Sequence, residues 1–358
     1  MATVSLVMIV KNEENKLARC LNSAKDLVDE IVIVDTGSTD GTKEIAKQFG
    51  AKVYDFVWND SFAEARNFAL LKSQGEWNLI LDADEYITGE SKVHLQKFIN
   101  NYMAIGRISI VSKYEENNEV RYTRHFASRL LPRGVYYRGR IHEQVVSDLP
   151  HIRTGIEVYH DGYYLTDKTD RNLPLLLKEL KEHPDDPYVL YHVAINYKNK
   201  KDYETADKYF AKAYARLTRE EGFAPVLIVD YLYNIMANGN LEDGIEIIRN
   251  EKEFLQDYPD YHFVTGLFYM DYIQKDIAGR LEMIDWIEHS FLTCLRLGDT
   301  KRSDSVLGVG SFLAAYNLGV VYEVFGFNEK AASYYAEAAA LGYAPAAHRL
   351  ELLSKSTS

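Results

Sequence analysis

Two cysteines in 358 residues, Cys20 and Cys294, exclude a disulfide framework and a cysteine-rich zinc site. Cys20 falls on an apparent helix face, where a buried structural thiol is expected. Positive charge is also short, and the formal net charge is −12. That balance excludes non-specific nucleic-acid binding and docking on anionic membrane through bulk charge. An anionic substrate must therefore be drawn in by a local cation or an arginine cluster. No apolar run reaches the length of a membrane span. The N-terminal run Val4–Val10 has no basic stretch before it and no small-residue cleavage site after it. The expectation is a soluble, cytoplasmic chain with no transmembrane segment. The Gly-Lys-Ser/Thr ending of a P-loop and the Gly-x-Gly-x-x-Gly of a Rossmann dinucleotide site are missing too.

What is present allows about two domains at roughly 150 residues each. Hydrophobic content of 47% and charged content of 26% permit sizeable cores. The first 90 residues alternate apolar runs with helical patterns. Val4–Val10, Ile31–Val34, Lys52–Phe56 and Trp77–Leu81 read as strands, and Glu13–Ala24, Thr42–Phe49 and Phe62–Ser73 as helices. Such alternation implies a mostly parallel sheet with helices on both faces, and ligands at the carboxyl ends of its strands. The polar clusters Lys11–Glu14, Asp35–Thr42 and Asp82–Glu85 all follow strands and should meet along one sheet edge. Shorter strand-like pieces follow: Arg107–Lys113, Val120–Phe126 and Ile156–His160.

From about Leu173 the pattern is helical and contains a repeat. Ala194, Tyr197, Ala206, Phe210 and Ala213 share their spacing with Gly319, Tyr322, Ala331, Tyr335 and Ala338. These positions match the tetratricopeptide pattern, in which small residues let two antiparallel helices approach and aromatics fill the gap. A middle copy over Tyr231–Ile248, with a turn at Gly239, is degenerate. The expected division is an α/β domain over residues 1–170 and an all-α helical array over residues 171–358.

The sharpest chemical signal is Asp82-Ala83-Asp84-Glu85, placed where an apolar strand ends. Carboxylates gathered at a sheet rim call for a neutralising cation, and oxygen ligands suit Mg²⁺ or Mn²⁺. The spacing of Asp82 and Asp84 fits one metal, bound directly or through water. A solvated acidic turn is the plain alternative. Asp35, ending its own strand, can accept hydrogen bonds from a base or ribose, and Asp40 and Thr42 suit a helix start. Arg121, Arg124, Arg129, Arg133, Arg138 and Arg140 form a local reversal of charge in an acidic chain. Arginine forks suit a diphosphate; a loop paired to nearby acids is the alternative.

Four segments carry a resemblance: Met8–Glu14, Val34–Thr42, Ala65–Leu70 and Leu81–Glu85. Together they resemble family 2 glycosyltransferases of the GT-A fold. The resemblance implies a nucleotide-sugar donor, usually inversion, and usually a divalent metal. It places Lys11, Glu13, Asp35, Asp40, Arg66, Asn67, Asp82, Ala83 and Arg140 at the nucleotide sugar, and adds His160 to Asp82 and Asp84 as a metal ligand. Arg129–Pro132, Gly139–Glu143 and Tyr159–Tyr163, followed by helical repeats, look like peptide glycosyltransferases of the sublancin type. Those join sugar to Cys or Ser of a peptide or protein acceptor. Enzymes that extend lipopolysaccharide cores share several of these motifs, so both acceptor classes stay open. An inactive scaffold that binds nucleotide sugar and a partner protein is a third reading. An inverting transfer needs a base; Glu143, beside His142, is the candidate, against a plain ion pair to Arg138 or Arg140. The sugar donor is expected to be a UDP-hexose. The repeats are expected to hold the acceptor or to pair two copies of the chain as a homodimer.

Overall fold

The apolar runs that end in carboxylates build one half of a twisted sheet. The computed structural model describes residues 2–116, 119–161, 169–300 and 303–356. It divides into two compact units, Met1–Glu182 and His183–Ser358. The first unit runs β1 (Val4–Val10), α1 (Leu17–Ala24), β2 (Glu30–Asp35), α2 (Thr42–Gln48), β3 (Lys52–Asp55), α3 (Phe62–Lys72), β4 (Trp77–Ile80), β5 (Glu85–Thr88) and α4 (Ser91–Asn101). It continues with β6 (Ile105–Glu116), β7 (Glu119–Pro132), β8 (Tyr136–Arg138), β9 (Gln144–Val146), β10 (His151–His160) and α5 (Thr169–Glu182).

Strand order is β3-β2-β1-β4-β7-β6-β10-β5, with β8 and β9 forming a separate hairpin. The β3-β2-β1-β4 half is parallel, as its strand–helix alternation requires. The other half is mixed, not parallel. β7 runs antiparallel to β4 and β6, and β5 antiparallel to β10. The reason is connection length: β6 ends at Glu116 and β7 begins at Glu119, too close for a crossover. Side-chain alternation sends Leu6, Met8, Ile33 and Leu79 to one face, against Leu17, Cys20 and Leu21 of α1 and Leu95 and Phe98 of α4. Val7 and Val34 turn to the other face, against Ala69 and Phe68 of α3. Both faces are covered, so β1 and β2 read as unbroken apolar runs.

The first unit extends past the expected boundary at residue 170. α5 belongs to it because its acids meet that unit's cations. Arg140 N–H donates to Glu179 at 2.9 Å, and Arg140 pairs with Glu182 at 2.6 Å. Lys178 pairs with Asp60 at 2.5 Å.

Apart from a two-residue strand at Ser305–Val306, the described second unit is helical: α6 (Pro187–Asn199), α7 (Tyr203–Arg216), α8 (Ala224–Asn238), α9 (Leu241–Glu251), α10 (Pro259–Lys275), α11 (Ile277–Arg280), α12 (Ile284–Leu297), α13 (Phe312–Val324), α14 (Asn328–Ala340) and α15 (Ala344–Ser356). The repeat positions do what their sizes demand. Ala194, Ala206, Phe210 and Ala213 are fully buried in the α6/α7 hairpin, and Ala331, Tyr335 and Ala338 in α13/α14. A Cβ on Gly319 would stand 2.6 Å from the Tyr335 ring, so only glycine admits that approach. Gly326, at φ 77°, turns the hairpin. The degenerate copy is α8/α9, with Gly239 as a left-handed cap at φ 83°. A further close pair, α10 and α12, joins Gly266 to Phe291, but α11 interrupts the repeat spacing that would have revealed it. Among the described residues, no helix is long and apolar enough to cross a membrane.

Candidate active site

The first two strand-end loops are laced together by backbone amides. In the loop after β1, Asn12 N donates to Ser38 Oγ at 2.9 Å, Glu13 N to Thr42 Oγ1 at 2.7 Å, and Glu14 N to Asp40 Oδ2 at 3.2 Å. In return Thr39 N donates to Asn12 Oδ1 at 2.8 Å and Gly41 N to Glu14 Oε2 at 2.8 Å. Asp35, at the end of β2, is fully buried at its side chain and accepts from Gly37 N and Ser38 N through Oδ1. Its Oδ2 is buried without a partner. An orphaned buried acceptor is costly, and a ligand N–H or O–H would relieve it. Asp40 is instead engaged by Thr42 Oγ1 at 2.5 Å, Thr42 N and Glu14 N, which hold its carboxyl below the usual range. In this arrangement it braces its own turn. Lys11 stands exposed at the end of β1, and Glu13 is half-buried.

The acidic tetrapeptide lies between β4 and β5, and two arginines grip it. Arg66 Nη2 and Arg129 Nη2 each lie 2.8 Å from the carboxylate of Asp82. Arg129 also reaches Glu85 at 3.3 Å, and Arg66 Nε donates to Glu143. Burial pushes the Asp82 carboxyl up, but the two guanidiniums outweigh it and hold the group well below the usual carboxylate range. Glu85 goes the other way: burial raises it more than Arg129 lowers it. Burial also raises Glu143, and Arg66 outweighs it, so Glu143 stays ionised. The neighbouring His142, at φ 52°, is pushed down to about 4 by burial and is neutral at neutral pH. A non-glycine residue at such a φ is strained, a condition met at functional sites.

Asp84 points elsewhere. It is 7% exposed, and its Oδ2 lies 3.4 Å from His160 Nε2, at the end of β10. His160 Nδ1 lies 3.2 Å from Ser112 Oγ. One ring nitrogen of His160 thus meets Ser112 and the other meets Asp84, and an imidazole beside a carboxylate is a donor set that could hold Mg²⁺ or Mn²⁺. Among the described residues no group of three His, Cys, Asp or Glu side chains gathers at metal-holding distance. The expected trio does not stand as one cluster: Asp84 faces His160, while Asp82 faces the two arginines. Ser112 carried no signal in the sequence.

Other expected contacts serve the scaffold. Asn67 brackets Tyr137, donating to its carbonyl and accepting its N–H, both at 2.8 Å, and so pins β8. Arg140 faces Glu179 and Glu182 on α5. Arg124 pairs with Glu157 at 3.3 Å and Arg121 with Glu119 at 3.6 Å. Ala83 is buried in the core, and Cys20 is buried with Sγ–H donating to Asp82 O at 3.4 Å. Gly162 and Tyr163 of the Tyr159–Tyr163 motif lie outside the described residues.

Residues 5–157 match the family described as Glycosyl transferase family 2. A TPR repeat-containing protein of Synechococcus elongatus is 41% identical over 124 residues, 35% of this chain and 30% of the relative. The SPbeta prophage-derived glycosyltransferase SunS of Bacillus subtilis is 26% identical over 302 residues, 79% of this chain and 70% of the relative. The chain thus spans less than a third of the first relative's length and rather more than two thirds of the second's. A solved glucosyl-3-phosphoglycerate synthase of Mycobacterium tuberculosis, in complex with Mn²⁺, uridine diphosphate and glucosyl-3-phosphoglycerate, aligns with 32% of this chain and 44% of its own at 23% identity, TM-score 0.26. The stretch that matches glycosyl transferase family 2 coincides with the sheet that carries the strand-end carboxylates, and tetratricopeptide-like helical hairpins follow it in the chain.

Proposed function

We propose that this chain transfers a hexose, with inversion, from a UDP-sugar to a Cys or Ser side chain of a peptide or protein in the cytoplasm, using a divalent metal. The observation that carries the reading is the Asp84–His160 pair beside the arginine-clamped Asp82, all at the rim where the strands of a family 2 domain end. Asp84 and His160 would hold Mg²⁺ or Mn²⁺, which when bound offsets the charge developing on the departing diphosphate. Asp35 holds the base or ribose through its unpartnered oxygen. Glu143, kept ionised by Arg66, takes the acceptor proton as the acceptor oxygen or sulfur attacks the anomeric carbon. Arg66 thus links the carboxylate of the metal motif to the base. The peptide acceptor rests on the resemblance to sublancin-type enzymes and on the similarity to SunS over most of the chain.

The test is incubation of the full chain with candidate Cys- and Ser-containing peptides, a panel of nucleotide sugars and Mn²⁺, read by mass spectrometry. A mass gain of one hexose on the peptide is expected with the UDP-sugars and lost with chelator. Neither transfer nor hydrolysis of any sugar donor would refute the reading.

A further inference from the structure

We infer that Asn12 and Glu14 are positioning residues for the nucleotide: they fix the turn over residues 36–41, and that turn aims Asp35, without either side chain touching the ligand. The inference rests on the proposed UDP site and adds residues whose work is indirect. Five amide bonds tie the two loops, three running one way and two the other. Ser38 is the joint between them. Its hydroxyl accepts from Asn12 N, while its own N–H donates to Asp35 Oδ1 at 2.8 Å. Asn12 is thus two hydrogen bonds from the carboxylate. Asn12 also sits at φ 55°, a conformation that asparagine tolerates better than most residues. That backbone setting lets its N–H reach Ser38 while its side-chain oxygen takes Thr39 N.

The same bonds exclude a direct phosphate role for this corner. The amides of residues 12, 13, 14, 39 and 41 all have side-chain acceptors. Glu14 Oε2 and Asn12 Oδ1 face amides of the opposite loop. With Gly37 N and Ser38 N both on Oδ1, the Asp35 carboxylate cannot swing, and Oδ2 is left as the fixed acceptor. Positional freedom in the turn would pass directly to that oxygen.

The test compares Asn12→Gly, Asn12→Asp, Glu14→Ala and Glu14→Gln in the full chain. Glycine adopts φ 55° without strain, so a loss in Asn12→Gly reports the missing acceptor rather than the backbone. Aspartate and glutamine each keep an acceptor oxygen. UDP with Mn²⁺ is the calorimetric probe, and amide hydrogen exchange over residues 36–42 reports the turn without any ligand. Asn12→Gly and Glu14→Ala should speed exchange there and weaken UDP at least about fivefold, the worth of one hydrogen bond. Asn12→Asp and Glu14→Gln should stay within about twofold of the unmutated chain. With a UDP-sugar, KM should rise and kcat at saturation should hold. Unchanged exchange in Asn12→Gly and Glu14→Ala, or Asn12→Asp behaving like Asn12→Gly, would overturn the inference. Absence of UDP binding by the unmutated chain would instead refute the proposed sugar donor, and the exchange arm would still decide whether the two loops are pinned.

Discussion

Removing Arg129 should unfold the first unit far more readily than neutralising Asp82, although both changes break the same contact. The cluster sets two guanidiniums, Arg66 and Arg129, against the three carboxyl groups Asp82, Glu85 and Glu143. Arg129→Met keeps the apolar stem of the side chain and deletes the charge, leaving one guanidinium among three acids. Asp82→Asn leaves two cations facing two acids, and the amide oxygen still accepts from one arginine. Breaking a buried pair by removing one partner costs about 3–5 kcal/mol. The Asp82 side chain is 33% exposed, whereas that of Arg129 is 15% exposed. Water at Asp82 moves the cost of Arg129→Met toward about 3 kcal/mol, and that of Asp82→Asn to about 1 kcal/mol.

A unit of this size shifts its melting temperature by about 2–4 °C per kcal/mol. Arg129→Met should therefore lower the first transition by about 6–12 °C, and Asp82→Asn by about 2–4 °C. Two-unit chains need a probe that reports one unit. Trp58 and Trp77 both lie in the first unit, so in a Trp286→Phe background tryptophan emission follows that transition alone in urea or on heating. Equal losses in the two variants, or a loss below about 1 kcal/mol in Arg129→Met, would refute the charge count on which the ordering rests.

Asp84→Ala should abolish transfer and Mn²⁺ binding, seen by calorimetry, with little change in melting, because Asp84 is outside the arginine cluster; full activity after exhaustive EDTA treatment would contradict it. Glu143→Gln should slow transfer to a hydroxyl by about 10²–10⁴ and transfer to a thiol much less, since a thiol ionises more readily. Equal, small effects on paired Ser and Cys peptides would make Glu143 only the partner of Arg66. In the second unit, burial lifts the Asp260 carboxyl to about 7. A raised native pKa means that its contribution is fullest below the unfolded value near 4 and is lost as pH rises through 7, a swing of about 4 kcal/mol. Asp260→Asn can still accept from Val306 N and donate to Ser305 Oγ. It should flatten that decline and stabilise the array at pH 8, as read by Trp286 emission in a Trp58→Phe, Trp77→Phe background across a pH series; an unchanged slope between pH 4 and 7 would contradict it.

Strand β1 was legible to its end residues, and so was the strand-end position of Asp82–Glu85, because apolar runs and their polar stops are local signals. The repeat hairpins were legible for the same reason, since alanine and glycine at fixed spacing record a close approach. What the carboxylates face was not. Arg66 and Arg129 come from α3 and β7, and nothing in a linear pattern says that both point at Asp82. Charge density also misled at Arg140: an arginine-rich stretch suggests an anion, but the acids of α5 were the anion. The lacing between Asn12, Glu14 and the 36–41 turn uses backbone amides, which have no sequence signature at all.

The abundance of tyrosine in the array has a structural cause. No described tyrosine of the second unit reaches the exposure of Tyr136 or Tyr102 in the first. Four of the second unit's tyrosine hydroxyls donate to carboxylates that a cation also holds. Tyr191 and Lys198 meet Asp230, each at 2.8 Å. Tyr272 and Arg280 meet Glu242, each at 2.8 Å. Tyr335 and Arg349 meet Glu323, at 2.7 and 2.8 Å. Tyr214 and Arg219 meet Glu251, which is 2% exposed. Each trio joins helices, and those at Asp230, Glu323 and Glu251 also satisfy a carboxylate that packing largely removes from water, whereas Glu242 stays exposed. Tyrosine supplies both needs of such a joint, a ring to fill the gap and a hydroxyl to bind the acid. An acidic chain that stacks helices in this way accumulates tyrosine whatever it binds, and recognition by the array falls to side chains outside these trios.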